Sequence, residues 1–338
     1  MLYENVCIES VAHVLPPHVV TSADLEIRLA PTLKRLGFPQ GTLAKLTGVR
    51  ERRFFDRGVR VAQPAALAGE RALLQAGIEP HEVQMCVNGS VTRDYLEPAV
   101  ATLVAGRLGF GRQCLSYDIT NACVGFMTSL VAVANMIELG VIDTGIVVAS
   151  EVVRDAIDAT IERLLAPTVT HDEFRGNFAT LTLGSSAAAV VLRHRSKSRS
   201  GHRLKGAVWR GAPEHNDLCV ATHTQMRANN HGLLTHGLKL ATETWPLAAA
   251  EFGWDADGPD EIIFHQVGLT HFEHTFKALN LSLDKALVTF PYLGNTAPVS
   301  VPVTLSVGVA QGRITPGTEI ALFGMGSGLG VTILGVEW

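Results

Sequence analysis

Charge is scarce in this chain. Only 18% of its 338 residues are Asp, Glu, Lys or Arg, and the formal net charge is −4. Nucleic-acid binding draws on a surplus of Lys and Arg to neutralise phosphates, so it is excluded as the main activity, although a local basic patch for a small anion is not. Residues 1–20 lack a basic segment followed by an apolar core, so no signal peptide is predicted. The longest apolar stretch, residues 124–137, is broken by Thr128, Ser129 and Asn135 and is too short to span a bilayer. A soluble cytoplasmic protein without a membrane span is the expectation. The five cysteines, Cys7, Cys86, Cys114, Cys123 and Cys219, are odd in number, widely spaced and free of any CxxC. That pattern argues against a disulfide framework or a zinc site and for small buried residues.

Apolar residues are plentiful instead, at 47%, together with 32 glycines. A chain of this length and make-up buries a large core and is expected to hold two domains or one duplicated unit. Strand-like and helix-like runs alternate. Strands are predicted over 84–91, 114–119 and 145–151, helices over 98–108 and 123–139, and one or two strands over 181–192. This is an α/β pattern. The sharpest break is RHRSKSRSGHRLK at 193–205, read as a solvated linker or hairpin. It divides an N-terminal half, residues 1–195, from a C-terminal half, residues 205–338. An echo spans it: IEPHEVQMCVNG at 78–89 and DGPDEIIFHQVG at 257–268 align at a separation of 179, which also sets Cys123 opposite Pro302. A constant offset over several elements favours duplication.

Three residues carry the chemistry. Cys123, in DITNACVGFM, stands between a strand and a long apolar helix, where unpaired N–H groups and the positive end of the helix dipole favour a thiolate. His265 follows three apolar residues in EIIFHQVG and is expected at the C-terminal end of a buried strand, where α/β sheets present functional groups. Asn295, in YLGNTAPVSVP, lies in a turn that leads into a helix. Each alone has a plain structural reading: a buried Cys, a hydrogen-bonded core His, an Asn bound to nearby backbone.

Together, in this order and spacing, they resemble the thiolase superfamily in its ketosynthase III branch. The closing glycine-rich LFGMGSGLG at 322–330 resembles that family's last loop, and the likeness covers essentially the whole chain. The resemblance implies a thiolase fold: two pseudo-equivalent α/β halves stacked in five αβαβα layers. It implies Cys123 as nucleophile, with His265 and Asn295 hydrogen-bonding an enolate oxygen. It implies an oxyanion hole from the backbone N–H groups of Cys123 and Met325, with Gly324, Gly326 and Ser327 in support and Ser327 near enough to bond His265. The glycine loop is no dinucleotide fingerprint, because a strand follows it and not a helix.

The stretch SVTRDYLEP, ending 26 residues before Cys123 with Glu97 and Pro98, resembles the OleA-type acyl-CoA condensing enzymes. Those join two acyl chains without decarboxylation, which requires a base to remove an α-proton. The resemblance implies Glu97 as that base, reaching into a partner subunit, and hence a homodimer. A surface Glu before a helix-initiating Pro is the plain alternative. Implied substrates are acyl-CoA, or acyl-ACP, with no other cofactor and no metal. His265, His271 and His274 match metal spacing only superficially. Arg52, Arg53 and Arg60 are candidates for the CoA phosphates, and the segment 183–187 is given only a packing role. The expected reaction is condensation of two fatty acyl-CoA molecules to a 2-alkyl-3-keto acid. The alternatives are a 3-oxoacyl-ACP synthase III using malonyl-ACP, a related acyltransferase to an alcohol or amine, and a silent partner subunit supplying only Glu97.

Overall fold

The computed structural model describes residues 1–222 and 225–338. Nine strands join in the order Glu261–Phe264, Glu319–Gly326, Gly330–Glu337, Arg203–Gly211, Val6–Val14, Ser186–His194, Thr144–Glu151, Met85–Asn88 and Leu115–Asp118. The middle of this sheet is a thin seam, since Val6–Val14 and Arg203–Gly211 pair only at Cys7 and Arg203. On either side the strands run alike. Met85–Asn88 is parallel to both neighbours, after which two strands return antiparallel. Glu261–Phe264 is likewise parallel to Glu319–Gly326, followed by two antiparallel strands, and a single parallel bridge from Ile262 to Ala286 stands where a fifth strand would be.

Five layers follow from which face each strand residue buries. Successive side chains point to opposite faces. Val147 and Ala149 therefore join Ile320, Leu322, Leu334 and Val336 around a central layer made of the helices Gly125–Glu138 and Ser300–Ala310. Ile146 and Val148 face outward to the helices Ala62–Ala76 and Val100–Leu108. Ala321, Phe323 and Ile333 face the helices Asn230–Phe252 and Leu269–Ala278 on the far side. The central helices lie between two sheet halves, so they carry apolar or small residues all round; every residue from Ser300 to Gly308 is buried. The expected αβαβα thiolase fold is what the chain adopts. A smaller lobe, with Leu25, Leu29, Leu43, Ile157, Ile161 and Phe174 in its core, covers one end.

Several expectations need correcting. Topologically equivalent residues are 175 or 176 apart, as for Phe264 and Asn88 or Phe323 and Val148, not 179. The basic stretch at 193–205 connects strands Ser186–His194 and Arg203–Gly211, with residues 195–202 exposed or half-buried. It crosses the end of Val6–Val14 and is pinned there by buried Glu9, which accepts from the Ser198 hydroxyl (2.6 Å) and the Arg199 N–H (2.8 Å). Residues 181–185 are not strand: a short helix, Phe178–Leu181, and a turn precede the single strand Ser186–His194.

Candidate active site

The chain leaves strand Leu115–Asp118, makes a tight turn and enters helix Gly125–Glu138, with Cys123 in the turn. Val124 N–H bonds to the Asn121 carbonyl (3.0 Å) and Gly125 N–H to that of Ala122 (3.1 Å). Ala122 pays for this geometry with φ +44°, a left-handed conformation that costs a non-glycine residue about 1–3 kcal/mol. A Cβ on Gly125 would come within 2.6 Å of the Gly89 carbonyl oxygen, so only glycine lets this helix start against the end of strand Met85–Asn88. The turn thus holds Sγ of Cys123 at a helix N-terminus, as expected. The direction of its pKa is not as expected: burial pushes the thiol up to about 12, against the lowering effect of the Cys123 and Ser327 N–H groups. The resting site holds a thiol.

His265 ends strand Glu261–Phe264, and its N–H bonds to the Phe323 carbonyl (2.8 Å), which fixes it at the carboxyl edge of the sheet. Burial lowers the imidazole to about 4, with Asn295 and the Met325 carbonyl pulling the other way, so the ring is neutral at physiological pH. Nδ1 forms no hydrogen bond of good geometry. Nε2 lies 3.4 Å from Asn295 Oδ1, long for a hydrogen bond, which leaves it free for a substrate. Asn295 Oδ1 is already held by the Ala297 N–H (2.9 Å), so the side chain presents its Nδ2 hydrogens. Ala297 is itself left-handed, at φ +50°, and lies 175 residues beyond Ala122. The two halves bend at the same place, one to present the nucleophile and the other to hold Asn295.

Asn295 is seated by the segment given only a packing role. Its N–H bonds to the Thr182 carbonyl (2.9 Å) and its carbonyl accepts from the Gly184 N–H (2.9 Å). Gln266, next to His265, was overlooked: its buried amide spans Leu287, Thr289 and Phe290 on the approach to Asn295. A buried Gln beside a candidate catalytic His was the available signal.

The glycine-rich loop is the turn of a hairpin between Glu319–Gly326 and Gly330–Glu337. A Cβ on Gly326 would lie 3.2 Å from Val124 N and 3.3 Å from Cys123 N, so glycine lets the hairpin close onto the nucleophile turn. Met325 turns its carbonyl to His265, and the N–H directed at Sγ is that of Ser327. The Ser327 hydroxyl bonds to Cys219 and not to His265.

Glu97 is exposed in the loop between strand Met85–Asn88 and helix Val100–Leu108, beside Tyr95 and Leu96, which are 45% and 87% exposed. Arg52 cannot serve CoA: it is fully buried and donates to the Leu181 carbonyl (2.9 Å) and the Ser22 hydroxyl (3.1 Å). Arg53 bonds to the Pro16 carbonyl (3.2 Å), while exposed Arg60 lies over the Tyr95 ring at 4.9 Å. The His265 and His271 rings are 6.4 Å apart, and among the described residues no group of three or more His, Cys, Asp or Glu is placed to hold a metal. No helix among them is long and apolar enough to cross a membrane.

Two family models match the chain: 3-oxoacyl-[acyl-carrier-protein] synthase III over residues 117–210 and its C-terminal counterpart over 249–338. An acyl-CoA:acyl-CoA alkyltransferase of Xanthomonas campestris is 38% identical over the full length of both chains, as is one from Shewanella oneidensis. A beta-ketoacyl-[acyl-carrier-protein] synthase III of Dinoroseobacter shibae is 26% identical over 98% of each. Crystal structures of Xanthomonas campestris OleA superpose on it. A cerulenin-bound form has a TM-score of 0.98 and 38% identity, and covers 100% of this chain and 98% of that one. Others carry single substitutions of a cysteine, a glutamate or a histidine.

Proposed function

Because the chain belongs to the 3-oxoacyl-[acyl-carrier-protein] synthase III family of thiolase-fold enzymes, and matches its acyl-CoA:acyl-CoA alkyltransferases end to end, we propose that it joins two fatty acyl-CoA molecules head to head. In the first step Cys123 Sγ attacks the thioester carbonyl of one acyl-CoA. His265, neutral and free at Nε2, takes the thiol proton and passes it to the departing CoA sulfur. The N–H groups of Cys123 and Met325 hold the oxygen that becomes negative. Coenzyme A thioesters are the substrates, and no step calls on a cofactor or metal.

In the second step Glu97 of a partner subunit removes an α-proton from the second acyl-CoA. After the first step His265 moves its remaining proton from Nδ1 to Nε2 by exchange with water, and then it and Asn295 through Nδ2 hydrogen-bond the enolate oxygen. The α-carbon attacks the Cys123 thioester, the new carbon–carbon bond forms, and the Cys123 thiolate leaves. Hydrolysis of the remaining CoA thioester gives the 2-alkyl-3-keto acid.

The observation that carries this reading over malonyl-ACP extension is Glu97. Among the described residues it has no hydrogen-bond or ion-pair partner, and it sits beside the bare Leu96 in an exposed loop. An exposed apolar side chain beside an unpaired carboxylate is suited to enter a neighbouring subunit of a homodimer. The substituted glutamate, cysteine and histidine of Xanthomonas campestris OleA give further support, since their numbers run a constant 20 ahead of Glu97, Cys123 and His265. Glu97→Ala should still load an acyl group on Cys123, seen as an intact-mass adduct, but yield no condensed product. Condensation at the normal rate would remove Glu97 from the mechanism.

A further inference from the structure

Residues 89–99, which carry Glu97, leave the sheet as a loop held by carboxylates at three points. Asp94 accepts from the N–H groups of Val61 (2.6 Å) and Ala62 (3.0 Å) at the start of helix Ala62–Ala76. Asp118 accepts from Val100 and Ala101 N–H, both at 2.9 Å, where the loop ends in helix Val100–Leu108. The third point is at the root. Glu151, the last residue of strand Thr144–Glu151, accepts from Val91 N–H with Oε1 (2.7 Å) and from Thr92 N–H with Oε2 (3.2 Å).

Glu151 differs from the other two. Asp94 and Asp118 are partly exposed, whereas Glu151 is 1% exposed and no Lys or Arg among the described residues pairs with it. A buried carboxylate without a cation costs free energy that an uncharged acceptor would not. Burial pushes its carboxyl up to about 7, against the two N–H groups that pull it down. Its charge also acts on the Cys123 thiol, so the same side chain lies close to the nucleophile turn. Neighbouring ties reinforce the root: the Thr92 hydroxyl donates to the Ser150 carbonyl (3.2 Å) and accepts from Val152 N–H (3.3 Å), and Ser90 Oγ accepts from Ser150 N–H (2.9 Å).

We propose that Glu151 is a positioning residue for condensation, setting the direction in which the loop projects Glu97 toward the partner's site. This rests on the reading of Glu97 as the base in trans. With both oxygens accepting, the root of the loop is fixed at two successive N–H groups. An acceptor with only one free oxygen leaves the loop one bond short and its tip free to swing.

Glu151→Gln keeps the size of the side chain but turns an NH2 toward a backbone N–H. In the assembled enzyme, acyl loading of Cys123 from a fatty acyl-CoA should be no slower than in wild type, since losing the Glu151 charge removes an effect that raises the thiol, while condensation falls on the order of 10- to 100-fold, as for a displaced catalytic group. Glu97→Ala, assayed beside it, separates the two ideas. Normal condensation by Glu97→Ala sinks the trans-base reading itself. A dead Glu97→Ala with a fully active Glu151→Gln sinks only the positioning role. Equal loss of loading and condensation in Glu151→Gln also overturns it, as general damage to the site. Should that variant not fold, Thr92→Val decides: it cuts a second tie of the same root and should show the same split at smaller amplitude. Equal loss of both steps, or of neither, refutes the inference.

Discussion

Gln266 offers a measurable link between the packing and the chemistry. Its Oε1 accepts from the N–H groups of Thr289 (2.7 Å) and Phe290 (2.9 Å) and from the Thr289 hydroxyl (3.2 Å), and its Nε2 donates to the Leu287 carbonyl (2.7 Å). The side chain is fully buried, so no water replaces it. Gln266→Leu keeps a comparable volume but leaves two buried N–H groups and one carbonyl without partners. At ~1–3 kcal/mol for each, less ~2 kcal/mol returned by the buried leucine, the net loss is about 4 kcal/mol. Against a total stability of about 5–15 kcal/mol this is large. Guanidinium unfolding of the two proteins at pH 7 measures it. The segment released leads to Asn295, so condensation should also fall more than acyl loading of Cys123. A loss under about 1 kcal/mol at unchanged denaturant slope would refute the idea that this amide anchors the Asn295 side of the site.

Two further perturbations address the nucleophile. Because burial holds the Cys123 thiol near 12, well above the ordinary ~8.5, its thiolate fraction should grow about tenfold per pH unit across pH 6–9. Iodoacetamide labelling followed by peptide mass spectrometry should show that slope, and a plateau below pH 8 would contradict it. Gly326→Ala places a methyl 3.2–3.3 Å from the backbone nitrogens of Val124 and Cys123, neither of which moves freely. Acylation should slow by on the order of 10- to 100-fold through a displaced oxyanion donor, with the fold retained. Unchanged single-turnover acylation would mean that the hairpin does not contribute to the oxyanion hole.

How much of this was legible in the sequence depends on the range of the interaction involved. Cys123 at a strand–helix junction and His265 at a strand end were readable because local apolar runs set both. The helix Gly125–Glu138 and the strand Thr144–Glu151 fell within a residue or two of expectation for the same reason. Arg52 read as a candidate for the CoA phosphates, since nothing local reveals that Val20, Ser22 and Leu181 converge on it. The Cys123 thiol was expected to be acidic from its helix end alone, and the burial that outweighs that end is a tertiary property. Composition could not reveal the anchor of the 193–205 stretch, because Glu9 lies almost two hundred residues away. The repeat was visible, but its offset was fixed by matching letters and not strand ends.

The most direct test of the central claim supplies the purified protein with one fatty acyl-CoA alone and reads both protein and products by mass spectrometry. The expected result is an acyl adduct on Cys123, together with a 2-alkyl-3-keto acid built from two copies of the chain. Absence of that product, with chain extension appearing only after malonyl-ACP is added, would contradict head-to-head condensation.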